Sequence, residues 1–203
     1  MKRLPWLTLT FAALAVAVHC LPALTLGWQF DRAAVAHGQL WRFFTAHLTH
    51  FGTDHLRWDL LAFVVLGAMV ERISRSAFLV TLALSAALIT LGVWVAQPQF
   101  TTYRGLSGID SALFGFVVAH LIAEGRRARH GFSLAVGSLA LAGFTAKCVF
   151  ELVTHTTVFV ETTGDFAPVP LAHLLGLLAG AAASGVSALP SEKVGRELRS
   201  APV

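Results

Sequence analysis

Gly105-Leu106-Ser107-Gly108 opens an apolar run that continues to about Ala123, and Ala172-His173-Leu174-Leu175-Gly176 opens another. A serine hydroxyl needs a neighbour to take its proton before it attacks a carbonyl. Ser107 with His173 is the most plausible such pair in the chain, and it points to peptide-bond chemistry inside a bilayer. Gly105 and Gly108 let backbone approach a substrate and leave the hydroxyl unobstructed. The motif is not the G-x-S-x-G elbow of soluble hydrolases, because Ile109 stands where the last glycine belongs. Glycine and serine are also common where membrane helices pack, so the four residues alone do not choose between packing and chemistry. His173 lies about one turn before Gly176 and on nearly the same face. Gly176 and Gly180 form a small-xxx-small pair that admits a close neighbour, and this aims His173 at the helix that carries Ser107.

Composition sets the surroundings. The chain has 203 residues, of which 56% are hydrophobic and 13% charged, with mean hydropathy +0.70. A soluble domain carries about 25% charged residues. The chain therefore reads as one all-α integral membrane domain over residues 1–203, a bundle of six transmembrane helices. The apolar runs extend over about Leu4–Leu26, His55–Val70, Ala77–Ala96, Leu106–Ala123, Phe132–Val153 and Val169–Leu189. Spanning helices need ~17–25 residues. The second and fourth runs are short, so they either extend into neighbouring residues or end in a cavity. Cys20 and Cys148 fall inside apolar runs and read as small core or lipid-facing residues. The net charge of +4 does not indicate nucleic acid, since the basic residues lie in short clusters between apolar runs.

Those clusters set an orientation. Lys2, Arg3, Arg72, Arg75, Arg126, Arg127, Arg129, Lys193, Arg196 and Arg199, ten of the 15 Lys and Arg, fall on one side of a six-span arrangement. The positive-inside rule puts that side, with both termini, in the cytoplasm of what reads as a bacterial inner membrane. The first run is longer than a signal-peptide core and lacks a clear small-residue cleavage site, so it is expected to be a retained helix. Helices two, four and six then run from outside to inside. His55, Ser107 and His173 each begin one of them, at a similar depth near the outer face. Helix N-termini favour developing negative charge.

Between Trp41 and Asp59 stand three histidines, His47, His50 and His55, with the acids Asp54 and Asp59. The metalloprotease H-E-x-x-H is absent, and no metal is expected. His55 and Asp59 are four residues apart and share a helix face.

Taken together, these stretches resemble the rhomboid family of intramembrane serine proteases, over about Trp41 to Leu189. The segment Gly67-Ala68-Met69-Val70-Glu71-Arg72 is similar to the family's G-x-x-x-E-[RK] helix ending, and Trp41-Arg42 to the Trp-Arg pair of its first outer loop. The resemblance implies Ser107 as nucleophile and His173 as general base, a dyad with no third acid. It implies His55 as oxyanion donor together with the Ser107 N–H, and His50 as a structural, water-organising residue. No cofactor is implied. The implied partners are substrate helices of other membrane proteins within the lipid bilayer.

The sequence departs from the family pattern at two positions. Asp59 stands where many members carry the Asn that helps form the oxyanion hole. An ionised carboxylate there repels an oxyanion unless it is protonated in an apolar setting or serves to hold His55 as a charged donor. Ser111 stands where an aromatic residue often stacks on the catalytic histidine, leaving Asp110 and Ser111 as candidates to orient His173. Lys147 and Glu151 form an i, i+4 pair that reads as mutual neutralisation. With the small size and both departures, this pair is similar to the rhombosortase branch, whose members process C-terminal sorting tags on exported proteins. Two other classes compete: a rhomboid-like pseudoprotease that binds membrane helices without cutting them, and a small transporter using His50, His55 and Asp59.

Overall fold

The computed structural model describes residues 4–154, 156 and 169–187. Each of the six apolar runs contains a helix. The first run does not fold as one continuous helix. Pro22 disfavours helical geometry at the residue before it, and Leu21 is extended (φ −120°, ψ 91°). Helix α1 (Trp6–His19) therefore stops, and α2 (Pro22–Trp28) leaves at 109°. The Thr25 hydroxyl donates to the Val18 carbonyl at 2.8 Å and fixes the corner.

The loop after α2 is built from short pieces. Strand β1 (Phe30–Asp31) leads into α3 (Arg32–Ala36), whose N-terminus is capped by the Asp31 carboxylate accepting the Ala34 N–H at 2.8 Å. Helix α4 (Arg42–Thr45) follows, then a single 3-10 turn over Ala46–Leu48. Arg42 is buried and donates to the carbonyls of Leu26 and Gln29, so the Trp41-Arg42 pair clamps this loop onto the end of α2.

Helix α5 (Thr53–Ile73) and helix α6 (Arg75–Ala96) are separated only by Ser74, which is extended and caps α6 by accepting the Ala77 N–H. The expected short second run thus extends at both ends, to 21 residues. Near the end of α5, the buried Glu71 carboxylate accepts the Leu7 N–H (3.2 Å), the Thr8 N–H (2.8 Å) and the Thr8 hydroxyl (2.9 Å). An anion at the first turn of α1 satisfies donors that have no intrahelical partner. This gives the Gly67-to-Arg72 ending a physical role as the anchor of α1. At the other end of α6, Arg32 donates to the carbonyls of Val93, Trp94, Gln97 and Phe100, satisfying the orphaned acceptors of the helix terminus.

Strand β2 (Thr102–Tyr103) pairs antiparallel with β1, Phe30 opposite Tyr103 and Asp31 opposite Thr102. This tiny sheet ties the first loop to the segment that delivers Ser107. Helix α7 (Ser107–Arg127) is also 21 residues long, so the fourth run likewise extends. It is the central helix: 61% of its most apolar stretch is buried, against 39% for α6 and 11% for α8 (Gly131–Thr154). Helix α9 (Pro170–Ser187) lies against α7. Phe63, Phe78, Ile89, Leu113 and Phe116 fill the core between these helices.

Among the described helices α6, α7 and α8 are long and apolar enough to cross a membrane, and the bent α1–α2 pair makes a fourth. The chain is an integral membrane protein of the all-α class, its two-stranded sheet confined to the loops. Helix α5 carries several charges in its first two turns and α9 is shorter and apolar, which is why neither meets that criterion alone.

Candidate active site

Gly105 begins the site. It has φ +124°, a conformation that side chains with a Cβ resist. A Cβ there would also lie 2.8 Å from both Cε1 and Nε2 of His55. Two independent constraints therefore demand glycine. The next residue, Leu106, donates its N–H to Asp59 Oδ2 at 2.9 Å. Ser107 is the first residue of α7, where a backbone N–H has no intrahelical partner.

The expected proximity of α9 to α7 is present. A Cβ at Gly176 would collide with the Gly108 carbonyl, and one at Gly180 with the Ala112 carbonyl. From α7, Gly115 meets the backbone of Leu177 in the same way. The two helices touch backbone to backbone along three turns because every crossing point is a glycine. Ser107 and His173 consequently line one cavity of about 840 Å³, together with His55 and Asp59 from α5. The N-terminal ends of α5, α7 and α9 thus lie at one end of the bundle, as the sequence indicates. No hydrogen bond joins the Ser107 and His173 side chains; such bonds often tighten only when substrate binds.

Asp59 is the hub of the support. Its Oδ2 lies 3.2 Å from Nε2 of His55 and 3.2 Å from Nε2 of His50, and the same atom holds the Leu106 N–H. The one-turn spacing foretold the His55 contact; the other two come from distant parts of the chain. His50 and His55 meet edge to face at 5.2 Å, and His55 stacks on Phe51. Burial lowers the pKa of His50 from its ordinary value, while Asp59 pulls the opposite way. His47 faces away from this group. Its Nε2 lies 3.1 Å from the Thr90 hydroxyl and 3.3 Å from the Ala86 carbonyl, pinning the first loop to α6. Burial takes its pKa down to about 4. Arg104 lies over the Phe51 ring at 4.8 Å and donates to Gln29, joining the two loops beside the cavity.

The residues expected to orient His173 do not do so. Ser111 donates its hydroxyl to the Ser107 carbonyl at 2.8 Å, so it is committed to its own helix. Asp110 is buried, and its Oδ1 has no hydrogen-bond partner among the described residues. The acid beside His173 is Glu151 of α8, whose Oε2 is 3.3 Å from Nδ1. His173 thus has an acid neighbour where the resemblance implies none. Lys147 does pair with Glu151, at 2.8 Å, as the i, i+4 spacing indicates. Its use of the same Oε2 that faces His173 left no local signal in the sequence.

Residues 37–188, about three quarters of the chain, match the Rhomboid domain family. The matched region runs from the first loop to the end of α9 and contains each of the cavity residues named above. With a helical membrane bundle, a glycine-flanked serine at the start of its central helix and a histidine on the helix packed closest to it, the chain belongs to the rhomboid family of intramembrane proteins, whose members are generally serine proteases.

Proposed function

We propose that this chain is an intramembrane serine endopeptidase that cleaves transmembrane or C-terminal tail segments of other membrane proteins. The observation that carries the reading is the shared cavity: Ser107 and His173 line it from the two helices that touch backbone to backbone. The helices of all six apolar runs cross the bilayer, with both termini cytoplasmic and the cavity toward the outer face. Peptide bonds in a formed helix are hydrogen-bonded and shielded, so the substrate segment unwinds at the cavity, helped by small or helix-breaking residues.

Ser107 Oγ attacks the scissile carbonyl carbon and passes its proton to His173. The protonated His173 then gives that proton to the departing amine nitrogen as the C–N bond breaks. Water, deprotonated by the same base, attacks the resulting ester, releases the new carboxyl end and restores the Ser107 hydroxyl. The Ser107 N–H and His55 are placed to hold the oxyanion formed in each half. Asp59 accepts the Leu106 N–H and lies 3.2 Å from Nε2 of both His50 and His55, so it acts by shaping the loop.

The test is labelling of the purified protein by a serine-directed fluorophosphonate, paired with cleavage of a fluorogenic transmembrane substrate. Wild-type protein labels and cleaves; Ser107→Ala does neither, and His173→Ala loses cleavage while keeping the wild-type melting profile. Comparable activity in either variant overturns the dyad. Helix binding without labelling or cleavage in the wild type means a pseudoprotease instead.

A further inference from the structure

Helix α8 is the least buried of the long helices, yet it carries one of the most buried charged side chains in the molecule. Glu151 is 2% exposed. Its Oε2 lies between the Lys147 ammonium at 2.8 Å and His173 Nδ1 at 3.3 Å. A carboxylate is seldom taken out of water unless partners hold it. Lys147, one turn earlier on the same helix, supplies one partner of opposite charge. The second contact crosses to α9 and falls on the ring nitrogen of His173. The Nδ1–H does not point along the line to the oxygen, for Nδ1 has no aligned hydrogen-bond partner; the relay requires the ring to turn until it does.

We propose that Glu151 is a positioning residue for His173, making the site a Ser107–His173–Glu151 relay in which Lys147 pairs with the acid. The proposal rests on the reading of His173 as the base for Ser107. By accepting the Nδ1–H, Glu151 selects the tautomer whose Nε2 lone pair is free to take the Ser107 proton. It also favours the imidazolium formed after that transfer. No proton moves to Glu151 itself. This answers the question posed by Ser111, where an aromatic residue would otherwise brace the histidine ring: here a carboxylate from α8 braces it.

Other charged groups around the cavity are placed differently. Asp110 comes from α7, His55 and Asp59 from α5, and Arg104 from the loop before α7. Asp59 is committed to His50, His55 and Leu106. Arg104 is committed to Gln29 and the His50 carbonyl. Helix α6, which also packs on α9, contains no acid and no histidine. Glu151 is thus the carboxylate that the described structure sets within ion-pair distance of His173.

The experiment compares kcat, KM and the pH profile of kcat/KM for wild type, Glu151→Gln, Glu151→Asp and Ser107→Ala on one fluorogenic transmembrane substrate. Glu151→Gln is expected to lower kcat about 10²-fold, within the range general-base assistance provides, with KM within about twofold of wild type. Its acid limb moves to lower pH, because the negative charge that favours the imidazolium is gone. Glu151→Asp restores part of kcat and returns the limb toward its original position. A merely structural Glu151 would change stability without moving that limb. Should Glu151→Gln fail to fold, Lys147→Met with Glu151→Leu removes the ion pair as a unit, a replacement that proteins often tolerate. The same loss of kcat and the same limb shift are expected of it. Wild-type kcat and acid limb in Glu151→Gln or in the folded double variant, with Ser107→Ala inactive, overturn the relay and leave the dyad standing. Cleavage surviving in Ser107→Ala overturns the dyad and the relay together.

Discussion

Asp59 Oδ2 accepts the Leu106 N–H at 2.9 Å, so a carboxylate on α5 holds the backbone that immediately precedes Ser107. The same atom meets His50 and His55. Replacing Asp59 by Asn keeps an acceptor for the Leu106 N–H, whereas Asp59→Ala strands that donor and two imidazoles in a buried site. Breaking a buried charged network costs about 3–5 kcal/mol. Asp59→Asn should keep substantial cleavage with an altered profile across about pH 5 to 9, where histidines titrate. Asp59→Ala should lose more activity and melt at lower temperature. An alanine variant with wild-type rate, profile and melting curve would show that the carboxylate is a bystander.

The α7–α9 contact predicts a graded response to volume. At Gly180 an added methyl group strikes the Ala112 carbonyl, which belongs to helix backbone and has no rotamer to adopt. At Gly143 nothing lies within 4 Å of such a methyl. Gly180→Ala is therefore expected to destabilise the protein by about 1–3 kcal/mol. A catalytic group displaced by about 1 Å loses about 10²-fold in rate, and Gly180→Val should reach that loss. Gly143→Ala should leave both rate and melting temperature unchanged. Full activity in Gly180→Val would mean that His173 does not depend on this crossing.

Much of this was legible beforehand, and the reason is periodicity. Ser107, His173 and the Gly176/Gly180 pair lie on helices whose faces follow from spacing alone, and so does the His55–Asp59 contact. What could not be read depends on how helices rotate against one another. Lys147 and Glu151 are neighbours by spacing, but only the packing of α8 beside α9 turns Glu151 toward His173. The Leu106–Asp59 bond joins residues 47 positions apart. Arg32 reaching four carbonyls at the end of α6 is equally remote. The break after His19 had a local sign in Pro22, outweighed by the continuity of apolar residues on either side of it.

His47 supplies a pH dependence outside the chemistry. Its folded pKa of about 4 lies below the ordinary 6.5 because burial excludes the charged ring. Between those values the unfolded chain binds a proton that the folded protein refuses. Stability therefore falls as pH drops from about 6.5 to about 4, and His50, also held low, contributes in the same direction. The melting temperature in detergent should decline over that window, and His47→Gln should flatten the decline. An unchanged slope in that variant would place the proton uptake elsewhere.

Orientation is testable with thiol reagents in a chain lacking Cys20. Gln99 is exposed in the segment between α6 and β2, at the end of the bundle that holds the cavity, and Arg127 is exposed at the far end of α7. A membrane-impermeant maleimide applied to intact cells should label Gln99→Cys and leave Arg127→Cys unmodified until the cells are broken. The reverse pattern would place the cavity on the cytoplasmic side.

The corner at Leu21 has a consequence for the lipid. The 14 residues of α1 make a rod of about 21 Å, some way short of the ~30 Å hydrocarbon layer. The bent α1–α2 pair reaches the apolar length of a span only when both limbs are counted. A short limb is accommodated by thinning of the bilayer, by snorkelling side chains or by association with another helix, at a cost of fractions of a kcal/mol per Å. On the proposed reading as a protease, lipid bilayers of different thickness should therefore change the cleavage rate, measured in vesicles of short-chain and long-chain phosphatidylcholine. Equal rates in both would mean that the corner has no bearing on the substrate.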